Sequence, residues 1–296
     1  MSSRQAVYIL ELLNSEKEGL TSSDLQKLLF VYSMEVDDSP AFEFIPSRYG
    51  CYSPNLSRTL QKLQDKHLIK SYNYNDDVIL TLTVEGRWYA MGLSSSRMND
   101  FLKSYSLRGN DLILDIYNRF PYWGIKSISC DSILLNDYQI INKIKNYLPK
   151  GNIKLASIGY QNRSFENYLN ALIKNNINIL CDVRKNPVSR IYGFSKSTLM
   201  SACKYLDIEY IHYPELGIPS NDRVSLKTQE DYDSLFKYYE KKILPKSINY
   251  VDEIISFINS NNNVALTCFE ENPEQCHRTR ILNYISRNTG IKPKLI

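Results

Sequence analysis

The 296-residue sequence has no apolar run approaching the roughly 20 residues that span a bilayer, so a membrane-crossing helix is excluded and a cytoplasmic protein without a membrane partner is expected. Its six cysteines, at positions 51, 130, 181, 203, 268 and 276, lack regular disulfide spacing. A chain this long does not need staples, and they read as reduced thiols. Compositional bias is missing too: 43 % hydrophobic and 23 % charged residues exclude fibrous and disordered classes. Concentrated charge is also absent. The net +4 permits an anionic ligand but does not demand nucleic acid, which usually binds a dense basic face.

The length is about twice that of a typical domain, so two domains are expected. Residues 1–150 hold 17 basic and 17 acidic residues and residues 151–296 hold 19 and 15, which places the whole surplus in the second half.

In residues 1–93, Val7, Leu10 and Leu13, then Leu25, Leu28, Leu29 and Val31, recur at helical spacing, with N-cap residues Thr21 to Asp24 between them. Ser53-Pro54 opens a third helix through Leu56, Leu60, Leu63 and Leu68. Strand-like runs Ile69–Tyr74 and Val78–Thr83 flank Asn75-Asp76-Asp77, which is turn chemistry. Three helices and a hairpin describe a winged helix, mostly α. The segments Lys27-Leu28-Leu29-Phe30, Phe42-Glu43-Phe44 and Tyr49-Gly50-Cys51-Tyr52-Ser53 resemble the Panacea-type antitoxin family, with Cys51 where that family carries proline.

A winged helix places its third helix in the major groove, and Arg58, Lys62 and Lys66 form one basic stripe along it. Against DNA contact, residues 1–93 hold 9 basic and 12 acidic residues. A DNA duplex and a protein partner, a second copy in a homodimer included, therefore both stay open. Residues 94–150 begin with Ser94-Ser95-Ser96, a linker signal, and continue as a helical connector whose Pro121-Tyr122-Trp123-Gly124 corner is expected to pack against a neighbour.

Residues 151–296 alternate apolar runs (Leu155–Ile158, Ile177–Val183, Ile208–His212, Val264–Cys268) with helical stretches. This is the pattern of an α/β domain with a mainly parallel sheet and helices on both faces. Ligands of such sheets bind beyond the strands' carboxyl ends. Polar clusters follow each strand: Gly159-Tyr160-Gln161-Asn162-Arg163, Asp182-Val183-Arg184, Tyr213-Pro214-Glu215-Leu216-Gly217 and Cys268-Phe269-Glu270-Glu271. Four clusters at equivalent positions are expected to meet in one crevice. The last runs through Cys276-His277-Arg278 into a final helix, whose N-terminus favours phosphate or carboxylate.

Ile158-Gly159, Asn162-Arg163-Ser164, Asp182-Val183-Arg184 with Pro187 and Ser189, His212 with Pro214-Glu215-Leu216-Gly217, and Cys268, Glu270, Pro273 and Cys276-His277-Arg278 keep the order and spacing of one family's motifs. Over about 140 residues the chain resembles the domain of unknown function 488 family, with Tyr160 where the family carries histidine. The resemblance implies a Rossmann-like fold and no settled reaction.

Several chemistries fit these residues. Asp182, Glu215 and Glu270 suit a nucleophile or base at a sugar carbon, in glycosidic or hydrolytic chemistry on a nucleotide or nucleic acid; this reading is preferred. Gly159, Asn162, Arg163, Arg184, His212, His277 and Arg278 are then the ligand- or phosphate-binding set. A thiol enzyme is the second reading, since Cys276 near a helix N-terminus beside His277 and Arg278 gains thiolate character, with Cys268 as the other candidate catalytic cysteine. Asp182-Val183-Arg184 after a strand is also similar to rhodanese-like domains, although these place the reactive cysteine directly after a strand. Zinc on Cys268, Cys276 and His277 lacks a fourth ligand other than His212, so no metal and no cofactor is expected. A non-enzymatic nucleotide sensor that regulates through the N-terminal module remains the alternative, with prokaryotic defence or regulation as its setting.

Overall fold

A computed structural model describes residues 4–75, 77–93, 96–128, 137–151, 153–223 and 226–296. Ser94 and Ser95 of the expected linker, Asp76 of the expected turn and Cys130 lie outside the described residues. The chain divides into two compact units, Met1–Leu148 and Pro149–Ile296.

In the first unit the helices are Arg4–Ser15, Ser22–Glu35 and Pro54–Asp65, and the second and third start where the sequence places capping residues. Thr21 Oγ1 accepts from the Asp24 amide at 2.9 Å, and Ser53 Oγ from the Leu56 amide at 3.2 Å. Strands β1 (Leu20–Thr21), β4 (Ile69–Tyr74) and β5 (Asp77–Leu82) form an antiparallel sheet of order β1-β5-β4. A hairpin of β2 (Ile45–Ser47) and β3 (Gly50–Tyr52) precedes the third helix. Asn75 takes the left-handed conformation the tight β4–β5 turn demands, with φ 52°.

The residues read as a connector supply core. Met98, Phe101, Leu112, Ile116, Ile140 and Ile144 belong to the same buried cluster as Leu10, Leu25, Phe30 and Leu56. The Pro121–Gly124 corner packs as expected, with the Trp123 ring edge-on to Phe30 at 5.0 Å.

In the second unit β6 (Leu155–Gly159), β7 (Ile179–Asp182), β8 (Glu209–His212), β9 (Val264–Cys268) and β10 (Lys294–Leu295) form a sheet of order β10-β6-β9-β7-β8. Every neighbouring pair is parallel. Alternate strand residues enter different layers. Leu155, Ile179, Cys181, Val264, Leu266 and Cys268 meet Val251, Ile254 and Ile258 of helix Ile248–Asn259 and Ile281, Leu282 and Ile285 of helix Arg278–Thr289. Thr267 instead accepts from the Tyr168 hydroxyl of helix Phe165–Lys174 at 2.8 Å, and Tyr168 packs edge-on to Phe194. Both faces are therefore covered, which is why β6, β7 and β9 are buried along their whole length.

The chain leaves β6 past β9 to reach β7, and leaves β9 past β6 to reach β10. The two connections diverge above adjacent strands and leave room for a site at their carboxyl ends. Among the described residues no helix is long and apolar enough to cross a membrane.

Candidate anion cavity and cysteine cluster

The loops after β6 and β9 touch. The Tyr160 and Gln161 amides both donate to the Phe269 carbonyl, at 3.1 and 2.9 Å. Gly159 permits this approach, because a Cβ there would stand 2.1 Å from the Glu270 carbonyl oxygen. Its role is packing of backbone on backbone, in place of the phosphate contact expected from the sequence.

Asp182 ends β7 fully buried, and Arg184 turns back onto it. Arg184 Nε donates to Asp182 Oδ1 at 2.8 Å and Nη2 to Oδ2 at 2.5 Å; the Arg184 amide reaches Oδ1 at 3.1 Å and the Tyr210 hydroxyl reaches Oδ2 at 2.6 Å. Both carboxylate oxygens are thus consumed. The expected catalytic Asp182 is instead the counter-ion that fixes a buried arginine. Arg184 Nη1 donates to the Tyr160 hydroxyl at 2.8 Å and the Phe194 carbonyl at 2.7 Å. Burial works against the guanidinium charge, but the hydrogen bonds and charge of Asp182 prevail and raise its pKa. Tyr160, in the family's histidine position, stacks on Phe194 with centroids 4.3 Å apart, and burial raises its own pKa.

Several other candidates fall outside the strand-end crevice. Glu215 is exposed and acts through its carbonyl, which accepts from Ser247 Oγ at 3.0 Å. Asn162, left-handed at φ 60°, donates to Glu271 Oε2 at 3.1 Å. Arg163 is half-buried and is absent from the cavity lining. His212 sits with Nε2 2.9 Å from the Arg184 carbonyl, to which it donates, leaving Nδ1 to accept from Lys196 Nζ at 3.2 Å. Arg278 is fully buried: Nε donates to Ser157 Oγ at 2.7 Å, Nη1 to the Ile158 carbonyl at 2.8 Å and Nη2 to the Glu270 carbonyl at 3.2 Å. It ties β6 to the loop after β9, and no donor reaches outward to a phosphate.

Above these anchors lies a cavity of about 420 Å3 whose lining includes Tyr160, Arg184, Lys185, Arg190, Arg223 and Cys268. Lys185 and Arg190 are exposed, and neither forms an ion pair among the described residues. Arg223 Nη1 lies 3.5 Å from Glu270 Oε1. Lys185, Arg190 and Arg223 were missed by sequence reasoning. The first two adjoin the Asp182-Val183-Arg184 motif and could have been found there; Arg223 carries no local signal.

At the cavity floor the Cys268 sulfur lies 3.1 Å from Glu270 Oε2 and 3.9 Å from His277 Nδ1. His277 Nε2 donates to the Val183 carbonyl at 2.9 Å. Cys276 completes the group; its sulfur, that of Cys268 and a ring nitrogen of His277 all lie within 4.8 Å of one another, and all three residues are buried. A hydrogen bond from the Cys276 thiol, helped by the imidazole, holds Cys268 well below the usual thiol range against the effect of burial. Burial raises Cys276 and Glu270. The thiolate character expected of Cys276 therefore falls on Cys268 instead, because Cys276 is the thiol that burial keeps protonated.

In the first unit, Arg58, Lys62 and Lys66 are all exposed. Their helix buries Leu56, Thr59, Leu60 and Leu63 on the opposite side.

The class defined by this geometry is an α/β domain with a parallel sheet and a basic, cysteine-floored site at its strand ends. Residues 164–285 match the model of one family, the domain of unknown function DUF488, which the second unit resembles over that span. No curated protein matches the chain.

Proposed function

We propose that the second unit binds and processes a phosphate-bearing ligand of nucleotide size at the carboxyl ends of its sheet. The observation that carries this reading is the cavity of about 420 Å3, within the range of small-molecule sites, whose lining includes Arg184, Lys185, Arg190 and Arg223. Asp182 answers Arg184 and Glu270 lies near Arg223, but among the described residues Lys185 and Arg190 stand without a carboxylate, so the cavity favours an anion. Phe269, which is exposed, adds aromatic surface on which a base can stack. Chemistry falls to Cys268, which lines the cavity, and to Glu270, whose carboxylate lies 3.1 Å from the Cys268 sulfur, since Asp182 is sequestered and Glu215 lies elsewhere.

The test is a mass-spectrometric screen of the full chain against pooled nucleotides, NAD and short single- and double-stranded DNA, recording bound and converted species. Conversion that disappears in a Lys185→Glu/Arg190→Glu variant supports the proposal. Binding without conversion reduces it to a sensor, and absence of both refutes it.

For the first unit the reading is a winged helix whose third helix meets DNA. Its support is the shared exposure of Arg58, Lys62 and Lys66 on the face opposite the buried leucines.

A further inference from the structure

The geometry points to a zinc site held by Cys268, Cys276 and His277, with Glu270 in the fourth position; it shares Cys268 and Glu270 with the proposed function and, where occupied, makes both of them metal ligands. By spacing alone, zinc lacks a fourth ligand other than His212. His212 is engaged by the Arg184 carbonyl and Lys196, whereas the Glu270 carboxylate lies 3.1 Å from the Cys268 sulfur. One thiol ends β9, and the other thiol and the imidazole stand at the entry to the final helix, so a seven-residue excursion returns them to the same point.

Zinc bonds of about 2.3 Å to sulfur and about 2.0–2.1 Å to nitrogen or oxygen set ligand-to-ligand edges of about 3.5–3.8 Å in a tetrahedron. Cys268 Sγ lies 3.9 Å from His277 Nδ1 and 3.1 Å from Glu270 Oε2, on either side of that range, and the two sulfurs and the imidazole nitrogen fall within 4.8 Å of one another. Small side-chain rotations close the polyhedron. Glu270 divides its oxygens accordingly: Oε1 faces Arg223 at 3.5 Å and Oε2 faces the cluster.

Two further observations agree. His277 donates Nε2–H to the Val183 carbonyl at 2.9 Å, which fixes the tautomer and leaves the Nδ1 lone pair aimed at the cluster, as outer-shell partners of ligating histidines do. Arg278 is fully buried, and its acceptors are Ser157 Oγ and the Ile158 and Glu270 carbonyls, all neutral. It forms no ion pair with a carboxylate among the described residues. A buried cation without a counter-ion is costly. Two thiolates and one carboxylate around a divalent ion leave a single negative charge, which Arg278 matches without a carboxylate partner of its own.

The experiment is metal analysis of the full-length protein purified from zinc-containing medium without chelator, together with cobalt substitution under reducing conditions. The expected result is close to one zinc per chain, and a cobalt form with thiolate charge-transfer and tetrahedral d–d bands. Cys276→Ser and His277→Gln should weaken zinc by more than the about 10–100-fold that loss of an outer-shell partner costs. Cys203→Ser, buried away from the cluster, should retain it. Folded wild-type protein that takes up neither zinc nor cobalt overturns the inference, as does unchanged affinity in both ligand variants. Where those variants fail to fold, cobalt bound to wild type without charge-transfer bands overturns it equally.

Discussion

Asp182→Asn tests the claim that Asp182 is a structural counter-ion. The carboxylate has no exposed surface and accepts from the Arg184 amide, Nε and Nη2 and from the Tyr210 hydroxyl. An asparagine keeps the shape but removes the charge, and its amide group turns donors toward donors. Breaking a buried pair from one side costs about 3–5 kcal/mol, because the remaining charge stays buried and unanswered. For a unit the size of Pro149–Ile296 each kcal/mol lowers the melting temperature by about 2–4 °C, so a fall of about 6–20 °C is expected. Circular dichroism melts and urea titrations of the full chain read this directly. An Asp182→Asn/Arg184→Met double variant should recover part of the loss, though not all of it, since the Phe194 carbonyl then loses its donor. A single variant with wild-type stability and abolished ligand turnover would refute the structural assignment and restore Asp182 as a catalytic group.

Three further outcomes are expected. Lys185→Glu with Arg190→Glu should weaken a phosphate-bearing ligand by on the order of 10–100-fold for each charged hydrogen bond removed, measured by calorimetry, since hydrogen bonds to charged groups are worth about 1.5–3 kcal/mol; unchanged affinity would move the ligand out of the cavity. Replacing Arg58, Lys62 and Lys66 together with neutral residues should weaken a salt-sensitive mobility shift on duplex DNA and remove about 2.7 from the log–log salt slope; an unaltered slope would assign the helix face to solvent. Burial pushes the Cys51 and Cys203 thiols from an ordinary value of 9.0 up to about 12. A folded-state pKa raised in this way favours folding fully below pH 9.0, and that contribution is lost as pH climbs toward about 12. Urea midpoints should therefore fall from pH 9 upward, by at most about 1.4 kcal/mol per pH unit for each thiol, and a flat profile to pH 11 would contradict the burial.

Strands β6, β7, β8 and β9 were legible because each is an apolar run bounded by polar residues, and β6, β7 and β9 are covered on both faces. Lys294–Leu295 was not legible: two exposed residues carry no periodicity, and only the open edge of β6 makes them a strand. The helices Gly109–Arg119 and Tyr138–Asn146 showed helical patterns and Ser96–Ser104 did not, but an apolar stripe does not say which core it enters. At the site, the motif order correctly brought the ends of β6, β7 and β9 together. The roles were harder to read. Aspartate and arginine two residues apart do not reveal that the arginine folds back on its own neighbour, and nothing in Cys276-His277-Arg278 distinguishes a guanidinium that reaches outward from one that threads beneath the sheet edge. Glu270 was chosen as a base for its position after a strand; its approach to Cys268 depends on the turn at Phe269, which Gly159 admits.

The segment 182–184 serves three partners at once. Its carboxylate holds the Arg184 guanidinium, the carbonyl of Val183 supports His277 beneath the cavity, and the carbonyl of Arg184 supports His212 at its side. These two successive peptide units point to opposite imidazoles, so neither can rotate without releasing a ring. The arginine that borders the cavity and the imidazole that faces the cysteines are thereby held by one short stretch of backbone, joined by the single peptide bond between Val183 and Arg184 and the hydrogen bond from His277.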